Sequence, residues 1–216
     1  QEVTGYVEFT VNAHAGDKIR ILHSEVLDKH GNFYNENYRS AKSQFVYISD
    51  GREELVRPTF TFFGFRYVRV IGWDGELRKT DILGKAVYSD MEITGKIETG
   101  HAGVNRLFLN AMWGQKSNSI DFPTDCPHRE KNGWTGDAAL SAEHILMNLD
   151  AVNSYREWLR NIRAAQRADG ALPGIVPTGG WGFEWGNGPA WDAVLTELPY
   201  RIWQYRGDKR VLEENA

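Results

Sequence analysis

The sequence predicts a multidomain α and β chain: an antiparallel β-sandwich followed by helices. Three observations predict it. Residues 1–97 carry six or more short strand-like runs separated by turn signals, with no helical period. At Gly100 the period changes, and apolar residues then recur at three- and four-residue spacing. Residues 123–137 hold two prolines and two glycines, so neither a simple helix nor a strand runs through them.

In chain order, Gly5–Val11 sets Val7, Phe9 and Val11 against Tyr6, Glu8 and Thr10, a half-buried strand. Lys18–Leu27 is a second strand, followed by the turn Asp28–Asn32. Ser43–Ile48 is a third, closed by Asp50-Gly51. Pro58–Phe63 and Phe65–Ile71 form a dense aromatic pair of runs around Gly64; these aromatics read as sheet interior rather than a binding platform. Ile82–Tyr88 and Met91–Ile97 complete the strands. Val104, Leu107, Phe108 and Ala111 then fit a helix over 102–116. Ala138, Ala142, Ile145, Leu146 and Leu149 fit a second helix, and Val152, Tyr155, Leu159 and Ile162 a third, ending near Asp169-Gly170. Residues 171–189 hold six glycines, three prolines and two tryptophans, a structured loop. Asn187-Gly188-Pro189 is a helix start. Trp191, Val194, Leu195, Leu198, Ile202 and Tyr205 share the next face, where Pro199 should kink the helix or delay its start. Gly207-Asp208 ends it, and a last short helix begins near Lys209.

Composition excludes several functions. The chain has 216 residues and a net charge of −4, which argues against a nucleic-acid backbone partner. No apolar run approaches the roughly 18 residues of a membrane span. Gln1–Gly16 shows no signal-peptide pattern, so the compartment (periplasmic, extracellular or cytoplasmic) stays open. The single Cys126 excludes an intrachain disulfide and a cysteine metal cage. The six histidines are dispersed without ligand spacing, which speaks against a metal site. No nucleophile elbow and no phosphate-cradling glycine loop is present. Cys126 reads as a packed thiol rather than a nucleophile.

The stretch 123–137 reads Pro-Thr-Asp-Cys-Pro-His-Arg-Glu-Lys-Asn-Gly-Trp-Thr-Gly-Asp and presents Asp125, Glu130 and Asp137 beside Trp134. Cleaving a glycosidic bond needs a proton donor for the leaving oxygen and a second carboxylate to activate water or attack carbon. It also needs hydroxyl-binding acids and an aromatic platform, and this loop supplies several of these. Asp137 falls in the first turn of the following helix, where the dipole favours a carboxylate. Glu130 lies between Arg129 and Lys131, whose charges favour its ionised form, whereas burial beside Trp134 would favour the protonated form a general acid needs. The bland alternative is equally open on spacing: Asp125 caps a turn, Asp137 is a helix-start acid, and Trp134 is core. A second cluster, Trp181, Glu184, Trp185, Trp191 and Asp192, lies on a loop that also precedes a helix, and would share an end of a helical barrel with the first. Against that, Trp185 and Trp191 could pack helix ends, and Asp192 could serve the dipole of its helix from the first turn.

The string Asp125-Cys-Pro-His-Arg-Glu-Lys-Asn-Gly-Trp-Thr-Gly-Asp137 resembles the signature of bacterial α-L-rhamnosidases of glycoside hydrolase family 78. Pro58–Val68, Asn187–Asp192, Leu198–Tyr200 and Tyr205–Asp208 resemble the same family. The resemblance implies a sandwich domain over 1–97, a linking helix over 98–118 and the first helices of an (α/α)6 barrel over 119–216. It implies inverting hydrolysis of terminal α-L-rhamnosyl residues, with rhamnose-containing glycans or glycosides as partners, no cofactor, and a homo-oligomer as an admissible state. Glu130 resembles the general acid; Asp125, Arg129, Trp134, Asp137 and Trp191 resemble rhamnose-binding residues. Where some members place the donor one residue later in a longer loop, this chain has Lys131, so Glu130 is the acid able to serve. Many members carry Gln at the position of His128. The family's general base is a Glu on a later barrel loop, and only Glu213 and Glu214 follow Asp208. The chain is therefore expected to be a fragment of a longer enzyme and inactive alone. Alternatives are another inverting (α/α)6 glycosidase acting on a different deoxy-sugar, and a non-catalytic carbohydrate-binding module.

Overall fold

Alternation along Val3–Val11 builds β1: Val7, Phe9 and Val11 are buried, while Glu8 is half-buried and Thr10 exposed. The structure, a computed structural model, describes residues 1–184 and 188–216. One unit comprises Gln1–Tyr88 with Cys126–Glu130; the other comprises Ser89–Asp125 with Lys131–Ala216.

The first unit continues with β2 (Lys18–Ser24), β3 (Val26–Leu27), β4 (Phe33–Tyr34), a 3₁₀ turn (Glu36–Tyr38), β5 (Gln44–Ile48), β6 (Glu54–Val56), β7 (Phe63–Phe65), β8 (Tyr67–Ile71) and β9 (Ile82–Ala86). All pairings are antiparallel. β1 pairs with β6, β7 and β9 in one sheet, and β2 lies between β5 and β8 in another. The inner faces share one core of Val7, Phe9 and Val11 from β1, Ile19 and Ile21 from β2, and Phe63 and Phe65 from β7. Edge-on contact of Phe9 with Tyr47 at 6.3 Å and stacking of His23 on Phe63 at 4.0 Å join residues of the two sheets. Burying side chains such as Phe9, Ile19 and Ile21 stabilises by about 1.5–3 kcal/mol each.

Three strand expectations need correction. The run Lys18–Leu27 breaks at Glu25, which separates β2 from β3. Pro58–Phe62 forms no strand: Pro58 lacks a ladder donor, and Phe60 sits at φ 57° with its ring fully exposed. At Arg66 the chain crosses between sheets, since β7 pairs with β1 and β8 with β2. Met91–Ile97 also forms no strand. It makes a single bridge, Ile93 to Leu149, and the N–H groups of Thr94 and Gly95 donate to the Asn148 carbonyl. With no neighbouring strand to cover them, Ile93 and Ile97 are more than half exposed.

The second unit holds α1 (Ala102–Ser117), the hairpin β10 (Ser119–Ile120) and β11 (Phe122–Pro123), α2 (Thr135–Asn148), α3 (Val152–Ala165), α4 (Gly188–Asp192), α5 (Val194–Arg206) and α6 (Arg210–Glu214). The His101 ring caps α1 by accepting from the Val104 N–H. The stripe foreseen for α1 is only partly inward: Phe108 and Met112 pack on the core, but Val104 and Leu107 are exposed. α2 turns Ala138, Ala142, Ile145 and Leu146 inward, and α3 turns Tyr155, Trp158, Leu159 and Ile162 against them. The last long apolar face is interrupted at Ala193 rather than at Pro199. Pro199 lies buried inside α5, and its missing N–H removes one helical bond without ending the helix. Buried Val194, Leu198 and Ile202 hold that helix to the core on either side of it. Gly207 closes α5 at φ 69°. Among the described residues no helix is long and apolar enough to cross a membrane.

Candidate active site

The acid-rich loop is divided. Cys126–Glu130 belongs with the sheets, and Asp125 and Lys131–Asp137 belong with the helices.

On the sheet side, the turn of Cys126–Glu130 is closed by the Glu130 N–H, which donates to Cys126 Sγ at 3.3 Å. Buried Cys126 is thus part of the scaffold that presents Glu130. The Glu130 carboxylate is three-quarters buried. Its Oε1 lies 3.3 Å from an Arg39 guanidinium nitrogen and 3.8 Å from Arg129 Nε. Arg129 also donates to the Asn37 carbonyl at 3.5 Å. His128 Nδ1 lies 3.1 Å from Glu25 Oε1, and its ring packs on Tyr38 at 5.0 Å. The Tyr38 hydroxyl donates to the Gly64 carbonyl at 2.8 Å; burial, then the nearby Glu25 and Glu2 carboxylates, raise the phenol above its ordinary range. A Cβ on Gly64 would come within 2.9 Å of His128 and Pro127, so only glycine lets the backbone approach this closely. Glu2 shares a hydrogen bond with Glu25. Burial first, and then the Glu25 charge, push Glu2 up to about 8.

On the helix side, the ends of the loop are tied to each other. The Asp125 N–H donates to the Asn132 carbonyl at 2.9 Å, and the Asn132 N–H donates to Asp125 Oδ1 at 2.9 Å. The turn-capping reading of Asp125 is therefore present in its Oδ1. Trp134 precedes α2 and forms a bridge with Ile175. Around that bridge the Val176 N–H donates to Gly133 and the Thr135 N–H to Gly174, both at 2.9 Å. These bonds tie the acid-rich loop to the glycine-rich loop after α3. Trp158 of α3 steadies the second loop by donating from Nε1 to the Val176 carbonyl at 2.9 Å. The pairing brings Trp134 edge-on to Trp181, with centroids 5.9 Å apart. Asp137 stands exposed in the first turn of α2. Trp191 of α4 lies against Gly136, where a Cβ would meet its indole at 2.5 Å. Its buried Nε1 has no hydrogen-bond partner among the described residues.

Glu184 and Asp192 are exposed, and Asp192 is the last residue of α4, not in its first turn, so the dipole reading does not apply to it. Trp185 and the Asn187 helix start lie outside the described residues. Among the described residues no group of three or more His, Cys, Asp or Glu is arranged to hold a metal ion. Sequence reasoning missed Glu25 and Arg39. They come from the first unit, Arg39 91 positions before Glu130 and Glu25 farther upstream still, in stretches without motif character.

Comparison with known proteins decides the family. The bacterial α-L-rhamnosidase six-hairpin glycosidase domain matches residues 92–215, and the bacterial α-L-rhamnosidase concanavalin-like domain matches residues 1–88. The chain belongs to the bacterial α-L-rhamnosidase family. An α-L-rhamnosidase of Streptomyces avermitilis is 36% identical over 217 residues, 99% of this chain and 21% of that protein. One of Formosa agariphila is 36% identical over 220 residues, 100% of this chain and 23% of that protein. The solved α-L-rhamnosidase of Dictyoglumus thermophilum superposes with a TM-score of 0.93 at 38% identity, covering 99% of this chain and 24% of that one. The Streptomyces avermitilis enzyme complexed with L-rhamnose gives a TM-score of 0.91 at 34% identity, covering 100% of this chain and 21% of that one. The chain thus spans less than a quarter of the length of these rhamnosidases.

Proposed function

We propose that the protein carrying this chain hydrolyses terminal α-L-rhamnosyl residues from rhamnosides with inversion, and that this chain supplies the proton donor. Membership of the rhamnosidase family, with both domain matches in order along the chain, is the observation that carries the reading. Glu130 is the donor, protonating the glycosidic oxygen as the bond to the anomeric carbon breaks. Asp125 and Asp137 hold rhamnose hydroxyls and support the positive charge developing at that carbon. Arg129, Trp134 and Trp191 complete the sugar contacts. Inversion also requires a base carboxylate roughly 6.5–9.5 Å from the acid, with water between them; no residue of this chain is assigned that part.

The test is Glu130→Gln in the full-length enzyme. General-acid catalysis is worth about 10²–10⁴-fold, so hydrolysis of an alkyl rhamnoside should fall by that much while L-rhamnose still binds. Near-normal rates on alkyl and activated aryl rhamnosides alike would refute the assignment. A panel of aryl glycosides checks the sugar: the rhamnoside should be preferred over other deoxy-sugars.

A further inference from the structure

We propose that Arg39 and Glu25 are positioning residues for Glu130, acting from the sheet unit on the reaction assigned above; the inference rests on Glu130 being the proton donor. Arg39 closes the 3₁₀ turn Glu36–Tyr38 with φ 54° and ψ −122°, a conformation that non-glycine residues rarely adopt. The turn is held there by Tyr38, which is 1% exposed and bonded through its hydroxyl to Gly64. The consequence of that backbone is a guanidinium at 3.3 Å from Glu130 Oε1. The Arg39 side chain is 66% exposed, and a pair so open to solvent returns less stability than a left-handed arginine costs. Folding energy does not account for the arrangement, whereas placement of the carboxylate does.

Glu25 acts on the same segment through His128. It sits at the break between β2 and β3. Its Oε1 lies 3.1 Å from His128, two residues before Glu130, and its Oε2 accepts from the Asn37 side chain at 3.4 Å. The Asn37 carbonyl in turn accepts from Arg129. Glu25 therefore touches both the acid-bearing segment and the turn that carries Arg39. Charged and titratable groups beside this cluster include Arg39, Arg129, His128, Tyr38, Glu2 and Arg66. A donor displaced even slightly from the glycosidic oxygen loses its advantage, because proton transfer requires hydrogen-bond reach.

A leaving group that needs no proton is insensitive to the donor's position. Arg39→Ala, Arg39→Lys, Glu25→Gln and Glu130→Gln are therefore compared in the full-length enzyme on a dinitrophenyl rhamnoside and on methyl rhamnoside. L-Rhamnose affinity is measured calorimetrically to verify that each variant is folded. For Arg39→Ala and Glu25→Gln the loss of kcat on methyl rhamnoside should exceed that on the dinitrophenyl substrate by about tenfold or more, with KM moving by less than about threefold. Arg39→Lys, which keeps a cation there, should recover most of the difference. Equal losses on both substrates, or no loss on either, overturn the proposal and leave Arg39 and Glu25 as scaffold. Should Glu130→Gln itself fail to discriminate the substrates, the donor assignment falls and the positioning role falls with it. A discriminating Glu130→Gln beside non-discriminating Arg39 and Glu25 variants sinks the positioning role alone.

Discussion

The Arg39 guanidinium lies 3.3 Å from Glu130 Oε1 although 91 positions separate the two residues. The contact belongs to a wider allegiance. The five residues Cys126–Glu130 pack with the sheets, whereas the residues on either side of them pack with the helices. The sandwich is thus more than a neighbouring module, because it holds the residue assigned the proton. A helical domain expressed without residues 1–88 would lack Glu25, Tyr38, Arg39 and Gly64, all of which shape that segment.

Gly64→Ala tests how tightly the segment is held. The added Cβ would stand 2.8 Å from the His128 backbone nitrogen and 2.9 Å from the Pro127 carbonyl carbon, so backbone must move. Overpacking of this kind costs about 1–3 kcal/mol, and denaturant unfolding should show a loss of that size. The same shift loosens the Tyr38 bond to the Gly64 carbonyl. An unchanged midpoint would mean that the segment can slide away from the sheet without penalty.

A pH dependence follows from Glu2. Its folded value of about 8 lies above the ordinary 4.5, chiefly through burial and secondly through Glu25. The folded protein therefore binds more protons than the unfolded chain between those values. The stability from this group is fully present below pH 4.5 and is lost as pH rises through 8. Asp28, Asp50, Asp81 and Asp169 are shifted downward by hydrogen bonds and act only at lower pH, with the opposite sign. Thermal unfolding should show Tm falling from pH 5 to pH 8, and Glu2→Gln should flatten the slope. An identical slope in wild type and variant rules the shared proton out as its source.

Much of the fold was legible because periodicity and burial share a cause. β1 and α2 bury the faces their sequences set apart, since each is covered along its length. Met91–Ile97 misled because alternation signals a strand only where a partner strand exists; Met91 packs on the helical core, and Ile93 and Ile97 meet solvent instead. Pro199 stays inside α5, where a buried helix face outweighs one lost backbone bond. At the candidate site the acids were visible, since carboxylates among prolines and glycines are conspicuous. Glu25 and Arg39 were not, because their contribution depends on chain reversals that bring distant residues to Glu130. The close approaches at Gly64 and Gly136 were hidden for the same reason.

Trp158→Phe probes the support of the second loop. The indole is 1% exposed and donates to the Val176 carbonyl, one residue beyond the Ile175 bridge to Trp134. Phenylalanine keeps most of the apolar volume but strands a carbonyl that also needs a partner. The cost should be about 1–3 kcal/mol, with proteolysis at residues 171–184 rising more than elsewhere. Uniform destabilisation without added cleavage there would place the role of the bond in the helical core instead.

Gly136→Ala separates the sugar-binding role of Trp191 from a packing role. Gly136 lies one residue before Asp137, and an alanine methyl there would stand 2.5–2.8 Å from three atoms of the Trp191 indole. The ring must then swing away, and the Trp191 Nε1 moves with it. That N–H is buried without an acceptor among the described residues, which suits a hydrogen bond to an incoming hydroxyl. If Trp191 contacts rhamnose, Gly136→Ala and Trp191→Phe should each weaken L-rhamnose binding about tenfold, the value of one to two lost hydrogen bonds. KM for a rhamnoside should rise more than kcat falls, because a sugar contact far from the proton transfer acts on binding. Calorimetric titration with L-rhamnose is the direct measurement. Unchanged affinity in both variants, alongside lowered stability, would assign Trp191 to the packing of α4 against α2.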